Sequence, residues 1–201
     1  MEQLIQLMPG YRLHEYQLAI IPNEDLRQRV QQVRNDFAEK YQLARAWKGA
    51  AHLMLVRFRQ VEMLEDKLQH ILKAIIMGIR PFRIGIDGYA SSPSHSIHLN
   101  ITTGTALMEL VKQLKQAGRI MRSSDGEPHW IQDPTITIAD KLLPWQYEQG
   151  WADYQQRSFS SGFMADELVL LKKTVSANRL QVVSRFECLD MPVLTKQGEL
   201  F

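Results

Sequence analysis

The sequence predicts an α+β fold of two lobes. Each is a β-α-β-α-β half related to the other by a pseudo-twofold, with antiparallel-rich sheets facing a central groove. Three observations predict it. The hydrophobic period switches between two and about 3.6 residues in the same order twice along the 201-residue chain. Corresponding strands recur roughly 80 to 85 positions apart, as a duplicated half-domain would give. Each half mixes strands with amphipathic helices that need a sheet face to cover, which leaves the other face of each sheet open.

YQLAIIP (16–22) is a short apolar strand closed by proline. Leu26, Val30, Val33, Phe37 and Tyr41 then fall on one helical stripe, with Glu24 and Asp25 at its positive N-terminal end. AHLMLVRF (51–58) returns to strand. Leu64, Leu68, Ile71, Leu72, Ile75 and Ile76 mark a second helix that Gly78 and Pro81 can end, and PFRIGIDGY follows as a strand. The order then repeats. HSIHLNI (95–101) is a strand, Leu107, Leu110, Val111 and Leu114 make a helix ending at Gly118, and TITIA (135–139) is the next strand. A weaker, aromatic-rich helix spans Trp145 to Tyr154, DELVLLKK (166–173) closes the unit, and RLQVVSRFECL (179–189) adds a last strand. Glycine and proline mark turns without a long linker, so residues 1–190 form one bilobal domain, with lobes near 11–90 and 91–189 and elements free to exchange between them. Residues 191–201 are a C-terminal tail.

Composition excludes several classes. The net charge of +2 and pI near 8.7 give no field strong enough to argue sequence-independent nucleic-acid binding. The one cysteine, Cys188, excludes an internal disulfide framework and reads as a buried structural thiol. MEQLIQLMPG lacks the pattern of a signal peptide, and no segment approaches about 20 consecutive apolar residues. A cytoplasmic protein that needs neither membrane nor metal is expected. His95 and His98 share an H-x-x-H spacing, but on a strand an odd offset sends the two rings to opposite faces.

The two central strands carry the candidate chemistry. Along DPTITIAD (133–140), Ile136 and Ile138 alternate with Thr135 and Thr137, so both hydroxyls point together away from the core. His52 and Met54 stand in the same relation to the first central strand, 83 positions earlier. On this reading the pairs look at one another across the groove.

AHLMLV and DPTITIA, at this spacing and in this strand-helix order, resemble the two His-x-Thr-x elements of the 2H phosphoesterase superfamily, the family of bacterial 2′-5′ RNA ligases and cyclic phosphodiesterases. PFRIGIDGY and DELVLLKK agree with its other landmarks, and the resemblance covers roughly residues 14 to 188. It implies a two-histidine site in which one imidazole takes a proton from the attacking oxygen, the other protonates the leaving oxygen, and the threonines hold the phosphate. Here the first element keeps His52 but has Met54 in the threonine slot. The second keeps Thr137 but has Thr135 in the histidine slot. A threonine hydroxyl donates and accepts hydrogen bonds but does not exchange its proton usefully near neutral pH, and loss of one general acid or base costs about 10²–10⁴ in rate.

The resemblance therefore implies His52 as the catalytic residue and Thr135, Thr137 and Met54 as ligand-binding positions, with no cofactor and a nucleotide, RNA-end or other phosphorylated small molecule as partner. Strand alternation adds His98 and Asn100 as ligand-binding residues. His98 and Asn100 point opposite Ile97, Leu99 and Ile101, beside the second central strand. His129, in the loop GEPHWIQD, is the other histidine that could stand in for the missing one. The reaction implied is 2′,3′-cyclic phosphodiester opening or 2′-5′ bond chemistry, impaired by the two replacements. Alternatives are a noncatalytic binding or interaction module on the same fold, or a different enzyme acting on a sugar or sugar phosphate.

Overall fold

The computed structural model describes residues 10–44, 49–174 and 180–191, so the tail expected at 191–201 lies outside the described residues from 192 onward. In chain order the elements are β1 (Leu13–Ile20), α1 (Glu24–Lys40), β2 (Leu53–Val61), α2 (Glu65–Ile76), β3 (Phe82–Ser92), β4 (Ser96–Ile101), α3 (Gly104–Leu114), α4 (Gly118–Met121), β5 (His129–Trp130), β6 (Ile136–Ala139), α5 (Pro144–Tyr154), β7 (Ser160–Ala165), β8 (Glu167–Thr174) and β9 (Gln181–Glu187). They form a five-stranded sheet of order β5-β2-β1-β8-β9 and a four-stranded sheet of order β6-β4-β3-β7, with every pairing antiparallel.

The two sheets correspond strand for strand. Reading β2-β1-β8-β9 beside β6-β4-β3-β7, the first two strands of each half stay in their own sheet and the third crosses to the other. Helices follow the same rule. α1 and α5 cover the four-stranded sheet, where the Phe37 ring packs against Tyr154 and, like Ile97, lies close against Gly150. α2 and α4 lie on the five-stranded sheet: Tyr16 on β1 donates to Glu65 at 2.8 Å, and Gln60 on β2 donates to the Ile120 and Arg122 carbonyls at 2.8 and 3.0 Å. The main core lies between each sheet and its helices.

Local chemistry sets the boundaries. Asn23 caps α1 by accepting from the Leu26 N–H at 3.1 Å, with Glu24 and Asp25 in the first turn. Pro144 opens α5, and Gln146 accepts from the Leu143 N–H while donating to the Tyr41 carbonyl, which ties α5 to the end of α1. The helix expected to end at Gly118 continues through one 3₁₀ turn into α4, because Arg122 is the first residue to turn extended. Two strands escape sequence periodicity. β5 has only two residues, and β7 (SSGFMA) is an edge strand that buries only Phe163 and Ala165.

Candidate functional site

His52 immediately precedes β2, and Thr135 immediately precedes β6. β2 carries one extra residue at Leu55–Val56, since Leu18 pairs with Val56 while the next residue, Ala19, pairs with Met54. The bulge sends both Leu55 and Val56 into the core. It leaves Met54, and His52 two residues earlier, on the open face beside a small apolar cluster of Ala19, Val169 and Leu171. On β4, Ile97 and Leu99 are buried, whereas His98 is half-buried on the opposite face and is the direct cross-strand partner of Thr137. Ile136 and Ile138 are buried, so Thr135 and Thr137 share that face.

A cavity of about 540 Å³ opens there, lined by Thr135, His98, Asn100, Asp133, Ser92 and Ser96. It holds Thr135, His98 and Asn100 together; His52, Met54 and Thr137 do not line it. Asn100 donates to the Asp87 carbonyl at 3.0 Å, so its amide oxygen is the atom left for a ligand. A larger hollow of about 840 Å³ runs along α3 and touches none of these residues.

What joins the two strands is a residue the sequence reading passed over. Arg34 of α1 is 3% exposed. Its Nε and Nη2 donate to the Thr137 carbonyl at 2.9 and 2.7 Å, and its Nη1 donates to the Gly49 carbonyl at 2.6 Å, three residues before His52. The signal was present: Arg34 stands four residues after Val30 and three before Phe37, inside the apolar stripe, where a charge needs a reason.

His52 Nδ1 donates to the Ala50 carbonyl at 2.9 Å, which leaves Nε2 as an acceptor in the neutral ring. Burial pushes the His52 pKa below 6.5, the Arg34 charge pushes the same way, and the Ala50 carbonyl opposes them. Burial also lowers that of His98. Among the described residues the His98 ring has no hydrogen-bond partner. His129 lies on β5, paired with Arg57, and so belongs to the same sheet as His52. His70 is exposed, and His14 is buried with its Nε2 3.6 Å from Glu62. Cys188 is buried and free, its thiol pushed up to about 11 by burial. Among the described residues no three His, Cys, Asp or Glu side chains group as a metal site, and no helix is long and apolar enough to cross a membrane.

Two antiparallel sheets that exchange their third strands, with β2 of one and the edge strand β6 of the other each reaching an open face, define the 2H phosphoesterase class of fold. Residues 22–176 match the family profile of the 2′-5′ RNA ligase superfamily, and the chain belongs to that family. Solved structures agree on the fold. Escherichia coli LigT in apo form is similar with a TM-score of 0.58 at 16% identity, over 88% of this chain and 98% of its own. A protein of Thermus thermophilus gives 0.56 at 16% identity, over 87% and 98%. LigT complexed with 3′-AMP gives 0.57 at 17% identity, over 88% and 98%. LigT has also been crystallised with NADP+, ATP and phosphate. No curated protein sequence matches the chain.

Proposed function

We propose that the groove binds the phosphate of a nucleotide or RNA end, with His52 and Thr137 addressing the phosphate and His98, Asn100 and Thr135 holding the adjoining part of the ligand. The observation that carries this reading is the Arg34 guanidinium, bonded at once to Thr137 and to the segment that leads into His52. Family membership and the nucleotide complexes of LigT supply the ligand class.

The reaction is 2′,3′-cyclic phosphodiester opening or 2′-5′ bond chemistry. His52 Nε2 takes or returns the proton on one side of the phosphorus. On the other side Thr135 has no usable proton, and the rate falls by about 10²–10⁴ relative to a two-histidine site. His98, cross-strand from Thr137 and free at both ring nitrogens, is better placed than His129 to make up part of that loss, because His129 shares a sheet with His52.

A noncatalytic binding module is the second reading. The apolar surroundings of Met54 favour it, since a thioether beside Ala19 offers a phosphate oxygen no donor.

Purified protein challenged with 2′,3′-cyclic nucleotides and short RNA, beside a His52→Ala variant, separates the two. Hydrolysis that disappears in the variant supports the enzyme. A ligand-induced rise in melting temperature without turnover supports the binder. Neither response would contradict both.

A further inference from the structure

Arg34 sits where an arginine is costly. Buried cations are ordinarily paired with carboxylates, and a well-packed apolar side chain in the same space is often as stable or more so. Here the guanidinium meets main-chain carbonyls, and among the described residues no carboxylate acts on it. Burial lowers its pKa to about 10, which still leaves the group charged at neutral pH. The structure thus keeps an unneutralised positive charge beneath the open faces, tied to two segments far apart in sequence.

The shape of the group matters as much as its charge. A guanidinium is a rigid planar fork, so the two carbonyls it holds are separated by a distance its own geometry fixes. One carbonyl belongs to Thr137 on β6; the other belongs to Gly49, on the segment that delivers His52 to the start of β2. An amide has only two N–H donors, and an ammonium radiates its three from one tetrahedral nitrogen, so neither reproduces the planar fork that spans both carbonyls.

We propose that Arg34 is a positioning residue for the phosphate site. Its guanidinium sets the spacing between the His52 segment and the Thr137 strand to suit one phosphate group, and it supplies the buried charge that an anionic phosphate ester neutralises. The inference rests on the reading of the groove as a phosphate site. Arg34 does not touch the ligand; it acts through His52 and Thr137.

Two variants test it, Arg34→Lys and Arg34→Met, each first checked for a native circular-dichroism spectrum and a cooperative melt. Two readouts are then taken: binding of 3′-AMP by calorimetry, and titration of the His52 imidazole by NMR. In the folded wild type, the neighbours acting on His52 are the Ala50 carbonyl, which favours its proton, and Arg34, which opposes it. Arg34→Met should raise the His52 midpoint, since the cation that opposes its proton is gone. It should also weaken 3′-AMP by about tenfold or more, because with the spacing lost the phosphate forfeits one charge-assisted hydrogen bond to His52 or Thr137. Arg34→Lys should leave the midpoint near that of wild type yet still weaken 3′-AMP, because charge without the fork does not fix the spacing. If Arg34→Met does not fold, Arg34→Lys carries the test. Folded variants that bind 3′-AMP as wild type does, with an unmoved His52 midpoint, would overturn the proposal and leave Arg34 a simple helix-to-sheet tie. A wild-type protein that binds no 3′-AMP would instead sink the phosphate-site reading. The titration would then decide whether Arg34 acts on His52, an unmoved midpoint counting against it.

Discussion

His52 and Thr135 occupy equivalent places, one residue ahead of β2 and of β6, and they differ in the one property that proton transfer requires. On the proposed reading an imidazole at the second place completes a two-histidine pair, so introducing one is the informative substitution. Thr135→His should raise cyclic phosphodiesterase activity by about 10²-fold or more, measured as initial rate on a 2′,3′-cyclic nucleotide. No gain would mean that the spacing across the groove no longer suits the reaction. His52 and His98 also make stability depend on pH. Burial lowers the pKa of both His52 and His98 below the ordinary 6.5, so at mildly acid pH the unfolded chain binds protons that the folded chain refuses. Their contribution is full above about 6.5 and is lost as pH falls through the lowered folded values. Melting temperatures taken from pH 7 to pH 5 should therefore drop more steeply for wild type than for a His52→Gln, His98→Gln double variant. Parallel curves would show that neither ring is held neutral by the fold.

At the scale of elements, packing overrides propensity in α5. Gly150 lies inside this helix, where alanine would ordinarily gain about 1 kcal/mol. A Cβ there would stand 2.8 Å from the Phe37 ring, which is itself packed against Tyr41 and Tyr154. Overpacking of this kind costs about 1–3 kcal/mol, so Gly150→Ala should lower stability in denaturant unfolding. Adding Phe37→Leu should recover part of the loss; a Gly150→Ala protein more stable than wild type would show that the ring moves aside freely. Long elements with a regular period were legible in the sequence: α1, α2 and α3 follow their apolar stripes, and β4 shows its two faces in SIHLNI. β5 and β7 were not, because two residues have no period and Ser-Ser-Gly carries no hydrophobic signal. The β2 bulge was hidden for a related reason. Leu53, Leu55, Val56 and Phe58 read as a plain apolar run, and only the pairing with β1 shows where the faces switch.

For the whole molecule, the exchange of third strands should make the two lobes one folding unit. β3 pairs with β4 and β7 in the second sheet, while β8 pairs with β1 in the first. A fragment ending after α2 would leave β1 without β8, an open apolar edge. Cutting the chain in the β3–β4 turn at Pro93–His95 should thus yield two pieces that are unfolded alone and regain the native circular-dichroism spectrum when mixed. Two independently folded pieces would contradict this. The duplication that predicts such an architecture was readable from the 83-residue offset between His52 and Thr135. The joint between the halves was not, because Arg34 reaches Thr137 and Gly49 across a distance in sequence that no local pattern encodes. The central claim is that His52 and Thr137 address one phosphate, and NMR observation of the His52 imidazole during addition of 3′-AMP tests it most directly. Its signals should move in step with binding, and Thr137→Val should weaken the interaction. Binding that leaves the His52 signals still, or that is indifferent to Thr137→Val, would contradict it.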